Sequence, residues 1–209
     1  TFAADSGAGV MTNGYELSRE EAMSTIMGSL DGRDAVVVTT GKASREVHEY
    51  RRDRGPVSPQ QEFLTLGSMG HASQIALGVS LSQPNRRVFC LDGDGALLMH
   101  MGSLALIGSS RPRQFVHVVL NNGCHESVGG QPTAGFEIDI PRVAEACGYC
   151  AATSVCTVAD LKSSLQRFRG VEGPCLLEVR ISVSARKDLG RPQTVPSARK
   201  DAFMEFLRL

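Results

Sequence analysis

The chain has no tryptophan, and only 5% of its residues are aromatic, so its core has to be built mainly from Val, Leu, Ile, Ala and Met. Neither sign of charge is in excess: 22 Lys and Arg balance 22 Asp and Glu. That balance argues against nucleic-acid binding, which draws on a basic surplus, and against a polybasic membrane anchor. No apolar run approaches the roughly 18 residues that a bilayer span needs. Residues 1–12 lack the basic-then-apolar order of a secretion signal and read as a flexible tail rich in Ala, Gly and Ser. There is no internal repeat, no Walker A pattern and no GxGxxG. Of the six cysteines, only Cys147 and Cys150 form a CxxC. It lacks the second pair or nearby His that zinc would need, and its place at the end of a helix speaks against redox chemistry. The cysteines read as reduced thiols of a cytoplasmic protein. The surplus is in glycine: 22 of 209 residues, about one in ten against an average near 7%. Glycine in such amounts marks tight turns or close approach of backbone to a ligand.

Apolar runs alternate with helical patterns along the chain. Residues 18–30 predict a helix, with Ala22, Met23, Ile26, Met27 and Leu30 at helical spacing and Ser18 and Glu21 as a capping box. A β-branched run at 35–39 predicts a buried strand. A small-residue helix is expected at 69–81, a strand at 88–91, an all-apolar helix at 97–107 and a strand at 115–120. A helix at 140–147, a short strand at 151–155, a capped helix at 157–168 and a strand at 175–181 follow. Residues 186–196 read as irregular. Strands alternating with helices imply crossover connections and a mainly parallel α/β sheet covered on both faces. Residues 1–16 are expected to be a linker or tag and 17–209 one domain. Ligands of such sheets bind at the carboxyl ends of the strands, so chemistry is sought at 40–45, 92–97 and 121–133.

The stretch Asp92-Gly93-Asp94-Gly95-Ala96 follows a strand and opens a helix. Gly95 and Ala96 would present backbone N–H groups, a setting that favours phosphate. A carboxylate such as Asp94 beside a phosphate makes electrostatic sense only with a bridging cation, of which Mg²⁺ with hard oxygen ligands is the natural one. After residues 96–120, the length of one helix-plus-strand crossover, the chain delivers Asn121-Asn122-Gly123. Asp at one strand tip and Asn at the next can face one ion. Either motif alone is equally well read as a turn; it is the spacing that joins them.

GDG followed at this distance by NN resembles the motif of thiamine diphosphate-dependent 2-keto acid decarboxylases. The resemblance implies Asp94 and the Asn122 side chain as Mg²⁺ ligands with the backbone carbonyl of Cys124, and a diphosphate held by Gly93, Gly95 and Ala96. It also implies a pyrimidine-facing turn at Gly67-Ser68-Met69-Gly70, where the Gly67 carbonyl accepts from the cofactor and Met69 holds it bent; core packing is the plainer account of Met69. Gly41 and Lys42, in Thr40-Gly41-Lys42, are similar to a further cofactor loop. Blocks 63–78, 121–133 (ending Gly129-Gly130-Gln131-Pro132-Thr133) and 186–192 narrow the resemblance to the phosphonopyruvate decarboxylases, over about residues 17–207, with the sulfopyruvate decarboxylases sharing much of it. What is implied is conversion of 3-phosphonopyruvate to phosphonoacetaldehyde and CO₂ in the making of phosphonate natural products such as antibiotics. His125 and Glu126 then line the reacting centre or relay protons, or else hydrogen-bond only within their loop. Arg186, Lys187 and Arg191 offer charge for the substrate's anionic tail, or are a solvated basic stretch. His48, His100 and His117 read as packing residues.

Members of this family also need a glutamate on a pyrimidine-binding domain, and nothing in these 209 residues supplies it. The resemblance therefore implies a homo- or hetero-oligomer in which a pyrimidine-binding domain or α subunit completes the site around a small anionic 2-keto acid. Three other readings are a sulfopyruvate decarboxylase β subunit, a non-catalytic scaffold of the same fold, and a plain nucleotide-binding α/β domain.

Overall fold

A computed structural model describes residues 13–55, 60–183, 185–186 and 188–209. Among these residues six strands form one parallel sheet: β1 (Ala35–Val38), β2 (Glu62–Leu64), β3 (Val88–Gly93), β4 (Phe115–Asn121), β5 (Ala151–Val155) and β6 (Cys175–Arg180), in the order β2-β1-β3-β4-β6-β5. Among the described residues eight helices accompany them: α1 (Arg19–Ser29), α2 (Lys42–Asp53), α3 (Ala72–Ser82), α4 (Asp94–Met99), α5 (Ser103–Ser110), α6 (Ile140–Ala146), α7 (Val158–Phe168) and α8 (Pro196–Arg208). The expected α/β architecture is the one observed. Every strand pair is parallel, with Val38 opposite Leu91 and Asp92 opposite Val119.

Alternate side chains of the central strands feed two apolar layers, as the two-residue period of a strand requires. Val36, Val38, Phe89, Leu91, Val116 and Val118 pack under α1, α2 and α7. Ala35, Val37, Val88, Cys90, Phe115 and Val119 pack under α3, α5, α6 and α8. With both faces covered, the inner strands carry continuous apolar runs; all seven residues of β4 are buried. The Ser18–Glu21 capping box is formed at the start of α1, and Asp139 and Thr157 cap α6 and α7.

Several expectations are corrected. Helix α2 begins at Lys42, inside the stretch read as loop; its mostly charged sequence buries only Ala43 and Val47 among its apolar residues, too faint a pattern to read. The three-residue β2 and the C-terminal α8 were also not expected. The helix at 97–107 is two helices, α4 and α5, broken at residues 100–102. Helix α3 starts three residues later than expected because Ser68 (φ 48°) and Gly70 (φ 83°) hold a turn in the left-handed region, which a helix cannot include. Of the expected linker, residues 1–12 lie outside the described residues. Asn13 is tied to the domain, its side-chain amide donating to the backbone carbonyls of Asn122 (3.1 Å) and Ile181 (2.9 Å). Among the described residues no helix is long and apolar enough to cross a membrane.

Candidate cofactor and metal site

The chain leaves β1 for α2 on one face of the sheet and leaves β3 for α4 on the other. Adjacent strands whose connections diverge in this way open a crevice at their carboxyl ends. A cleft of about 540 Å³, counting space open to solvent, lies there. Residues from the ends of β1, β3 and β4 converge on it: Thr39 and Thr40 from the first, Asp92 to Ala96 from the second, Leu120 and Asn122 from the third.

Ten of the expected site residues line this cleft together: Lys42, Met69, Gly93, Asp94, Gly95, Ala96, Asn122, Cys124, His125 and Glu126. Gly41 caps α2 just behind Lys42. Gly67 and Ser68 stand outside the lining, in the turn that carries Met69; the Gly67 N–H donates to Thr40 Oγ1 at 3.2 Å, joining that turn to the end of β1. Arg186 is not brought to the cleft. It pairs with Glu20 at 2.7 Å, with Asp188 at 3.2 Å and with Glu49, and so is already neutralised elsewhere on the surface. Arg191 is exposed and also outside the lining. Lys187 lies outside the described residues.

Asp94 is 3% exposed. Burial raises its carboxyl above the ordinary value, and what offsets this is neutral: the Thr133 hydroxyl and backbone groups at Gly95, Asp94 and Asn122. A buried carboxylate met only by neutral donors is costly unless a cation accompanies it. Asn122 stands beside it, its Oδ1 accepting from the Cys124 N–H at 3.2 Å and its Nδ2 donating to Glu126 Oε2 at 3.2 Å. A carboxylate, a side-chain amide oxygen and a backbone carbonyl are hard donors of the kind Mg²⁺ takes, so the residues present fit that ion. The neighbouring Asn121 faces inward instead, donating to Glu178 Oε1 (2.6 Å) and the Gly135 carbonyl (2.8 Å).

The loop after β4 folds back on itself, with Cys124 bridged to Pro132, the His125 N–H donating to the Gln131 carbonyl (2.8 Å) and the Thr133 N–H to the Gly123 carbonyl (2.8 Å). This places the His125 ring against Gly95, where a Cβ would meet it at 2.5 Å. A side chain at 95 would therefore have to displace the His125 ring.

Sequence reasoning missed four contributors. Arg19 reaches the cleft from α1 and pairs with Glu46 (2.8 Å) and Glu126 (2.9 Å); it stood only as the residue after the capping Ser18. The Thr133 hydroxyl donates to Asp94 from the far end of the loop, and Gly135 leaves room beside that carboxylate. Asp92 accepts from the Gly93 N–H at 3.0 Å. It belongs with Cys90 and His117 to a fully buried trio whose ligating atoms lie within 4.8 Å of one another. His117 is a packing residue as expected, its Nδ1 3.2 Å from the Tyr149 hydroxyl.

The sequence profile of the thiamine pyrophosphate enzymes, C-terminal TPP binding domain, matches residues 39–179. Phosphonopyruvate decarboxylase of Streptomyces viridochromogenes is 40% identical over 190 residues, covering 91% of this chain and 46% of that protein; the chain thus spans about half the length of that relative. Sulfopyruvate decarboxylase subunit beta of Methanothermobacter thermautotrophicus is 37% identical over 163 residues, covering 78% of this chain and 81% of that one. Among solved structures, a thiamine diphosphate-dependent 4-hydroxybenzoylformate decarboxylase of Rhodococcus jostii RHA1 superposes with a TM-score of 0.65 at 20% identity, over 83% of this chain and 34% of that one.

Proposed function

The chain belongs to the thiamine pyrophosphate enzymes, through their C-terminal TPP binding domain, and on that premise we propose that it is the Mg²⁺–thiamine diphosphate-holding half of a decarboxylase that converts 3-phosphonopyruvate to phosphonoacetaldehyde and CO₂. The observation that carries the reading is the joining, in one cleft, of Asp94, Asn122 and the Cys124 loop in a chain 40% identical to a phosphonopyruvate decarboxylase over 91% of its length. Asp94, the Asn122 side chain and the Cys124 carbonyl would hold the ion, and Gly93, Gly95 and Ala96 the diphosphate. Gly41 and Lys42 extend that cradle. The Gly67 carbonyl would face the pyrimidine, and Ser68, at positive φ, shapes the turn that presents Met69 under the cofactor. Thiamine diphosphate, when bound, supplies an electron sink for the pair left behind as CO₂ departs.

The chain's own residues bind, orient and shield. Asp94 and Asn122 fix the phosphate end at the strand tips. His125, packed on Gly95 and lining the cleft, would hold or move a proton there. A pyrimidine-binding domain or α subunit completes the site. Relatives named as beta subunits support that partner, and six free cysteines fit a reducing compartment such as the cytoplasm. The second reading, a sulfopyruvate decarboxylase β subunit, is favoured by the 81% of such a subunit that the chain covers. A coupled aldehyde assay on the completed enzyme decides between them. Turnover of phosphonopyruvate well above that of sulfopyruvate supports the first reading, and the reverse order supports the second.

A further inference from the structure

Glu126 makes contacts that the sequence did not foretell. Its Oε2 accepts from Arg19 Nη1 at 2.9 Å and from Asn122 Nδ2 at 3.2 Å. Its Oε1 accepts from the Ala185 N–H at 2.8 Å and lies 3.6 Å from Lys42 Nζ. Four segments therefore meet at one carboxylate: α1, the start of α2, the loop after β4 and the stretch after β6. An ionised carboxylate offers about four lone-pair sites, and four donors surround this one. Both of its oxygens are thus held by donors from other segments of the chain.

What these contacts do is orient Asn122. The two ends of an Asn amide have nearly the same shape but opposite hydrogen-bonding character. Glu126 only accepts, so it selects the orientation in which Nδ2 points toward it and Oδ1 points away. Oδ1 then accepts from the Cys124 N–H at 3.2 Å. The same bond fixes the peptide that precedes the Cys124 carbonyl. Arg19 in turn anchors Glu126 from a half-buried position, its other face held by Glu46 at 2.8 Å.

We propose that Glu126 is a positioning residue: clamped by Arg19 and Lys42, it sets the amide orientation of Asn122 and so the geometry of two of the three metal donors. This rests on the reading of the cleft as a Mg²⁺–thiamine diphosphate site. Groups that orient metal ligands typically change metal affinity about 10–100-fold when removed.

The test is Mn²⁺ titration followed by electron paramagnetic resonance on the complete enzyme with thiamine diphosphate. Wild type, Glu126→Ala, Glu126→Gln and Asp94→Ala are compared, each first checked for native circular dichroism. Glu126→Ala is expected to raise the Mn²⁺ dissociation constant about 10–100-fold. Glu126→Gln, which keeps one acceptor oxygen, is expected to fall between it and wild type, and it carries the test if the alanine variant does not fold. Excess Mg²⁺ should restore most of kcat, with the limbs of the pH–rate profile unmoved. Mn²⁺ affinity within twofold of wild type in both variants, or a kcat deficit that saturating Mg²⁺ does not relieve, overturns the proposal. Failure of wild type to bind Mn²⁺ better than Asp94→Ala would instead overturn the underlying reading of the site.

Discussion

Gly135 is the position where one added methyl group should do most harm to the metal end of the cleft. A Cβ there would lie 2.7 Å from Asn121 Oδ1, 2.8 Å from Asp94 Oδ2 and 3.0 Å from Asp94 Cβ, inside the contact distance of any of these atoms. None can yield cheaply. Asn121 is fully buried and donates to both Glu178 and the Gly135 carbonyl. Asp94 receives the Thr133 hydroxyl, and that same hydroxyl accepts from the Gly135 N–H at 3.1 Å. Gly135→Ala must therefore shift either the loop or the carboxylate. Overpacking of this kind costs about 1–3 kcal/mol, which in a domain of this size lowers Tm by about 2–12 °C. Urea and thermal unfolding measure it, with Gly78→Ala as the control. Gly78 lies in α3 with nothing within 4 Å of a built Cβ, so alanine there should be neutral or stabilising by up to about 1 kcal/mol. The reasoning is refuted if Gly135→Ala unfolds at the wild-type urea midpoint or above it, or if it matches the Gly78→Ala control.

Gly108→Ala should be worse still for folding, because a Cβ would fall 1.8 Å from the Cys147 carbonyl oxygen where α5 crosses the end of α6; little folded protein and a urea midpoint far below wild type are expected. Native-state thiol labelling should modify the exposed Cys150 and Cys156 first and leave the buried Cys90 and Cys175 untouched until denaturant is added; burial pushes the Cys175 thiol up to about 12, so little reactive thiolate exists at neutral pH. The Gly190 amide and the Arg186 guanidinium hold the Glu49 carboxyl below its ordinary value of 4.5. A folded-state value below the unfolded one contributes stability above about pH 4.5 that is lost as pH falls through the folded value. Glu49→Gln should therefore lower Tm at pH 7 and narrow the difference from wild type toward pH 3, by differential scanning calorimetry.

How much of this was legible in the sequence depended on the range of the signal. Capping boxes and β-branched runs act within a few residues, and α1, α6, α7 and the strands β1, β3, β4, β5 and β6 could be read from them. Helix α2 escaped because its residues, Lys42–Asp53, are mostly charged and its helical state is set by docking Ala43 and Val47 on the sheet. The break between α4 and α5 was hidden in an apolar run, where residues 100–102 turn the chain and the His100 ring comes against Gly70. At the site, Asp94 and Asn122 were legible because their spacing equals one crossover. Arg19 was not, since it reaches the cleft from α1, whose local pattern says nothing about its target. The partners of Arg186 were hidden for a related reason: a basic residue in an irregular stretch offers charge, but only the fold shows it paired with Glu20 and Glu49.

The most direct test of the central claim is calorimetric titration of thiamine diphosphate into the completed enzyme, with Mg²⁺ and with the metal chelated, for wild type and Asp94→Ala. The account predicts saturable binding for wild type only when Mg²⁺ is present, and loss of that binding in Asp94→Ala. Binding of equal affinity in Asp94→Ala, or in wild type without metal, would contradict it.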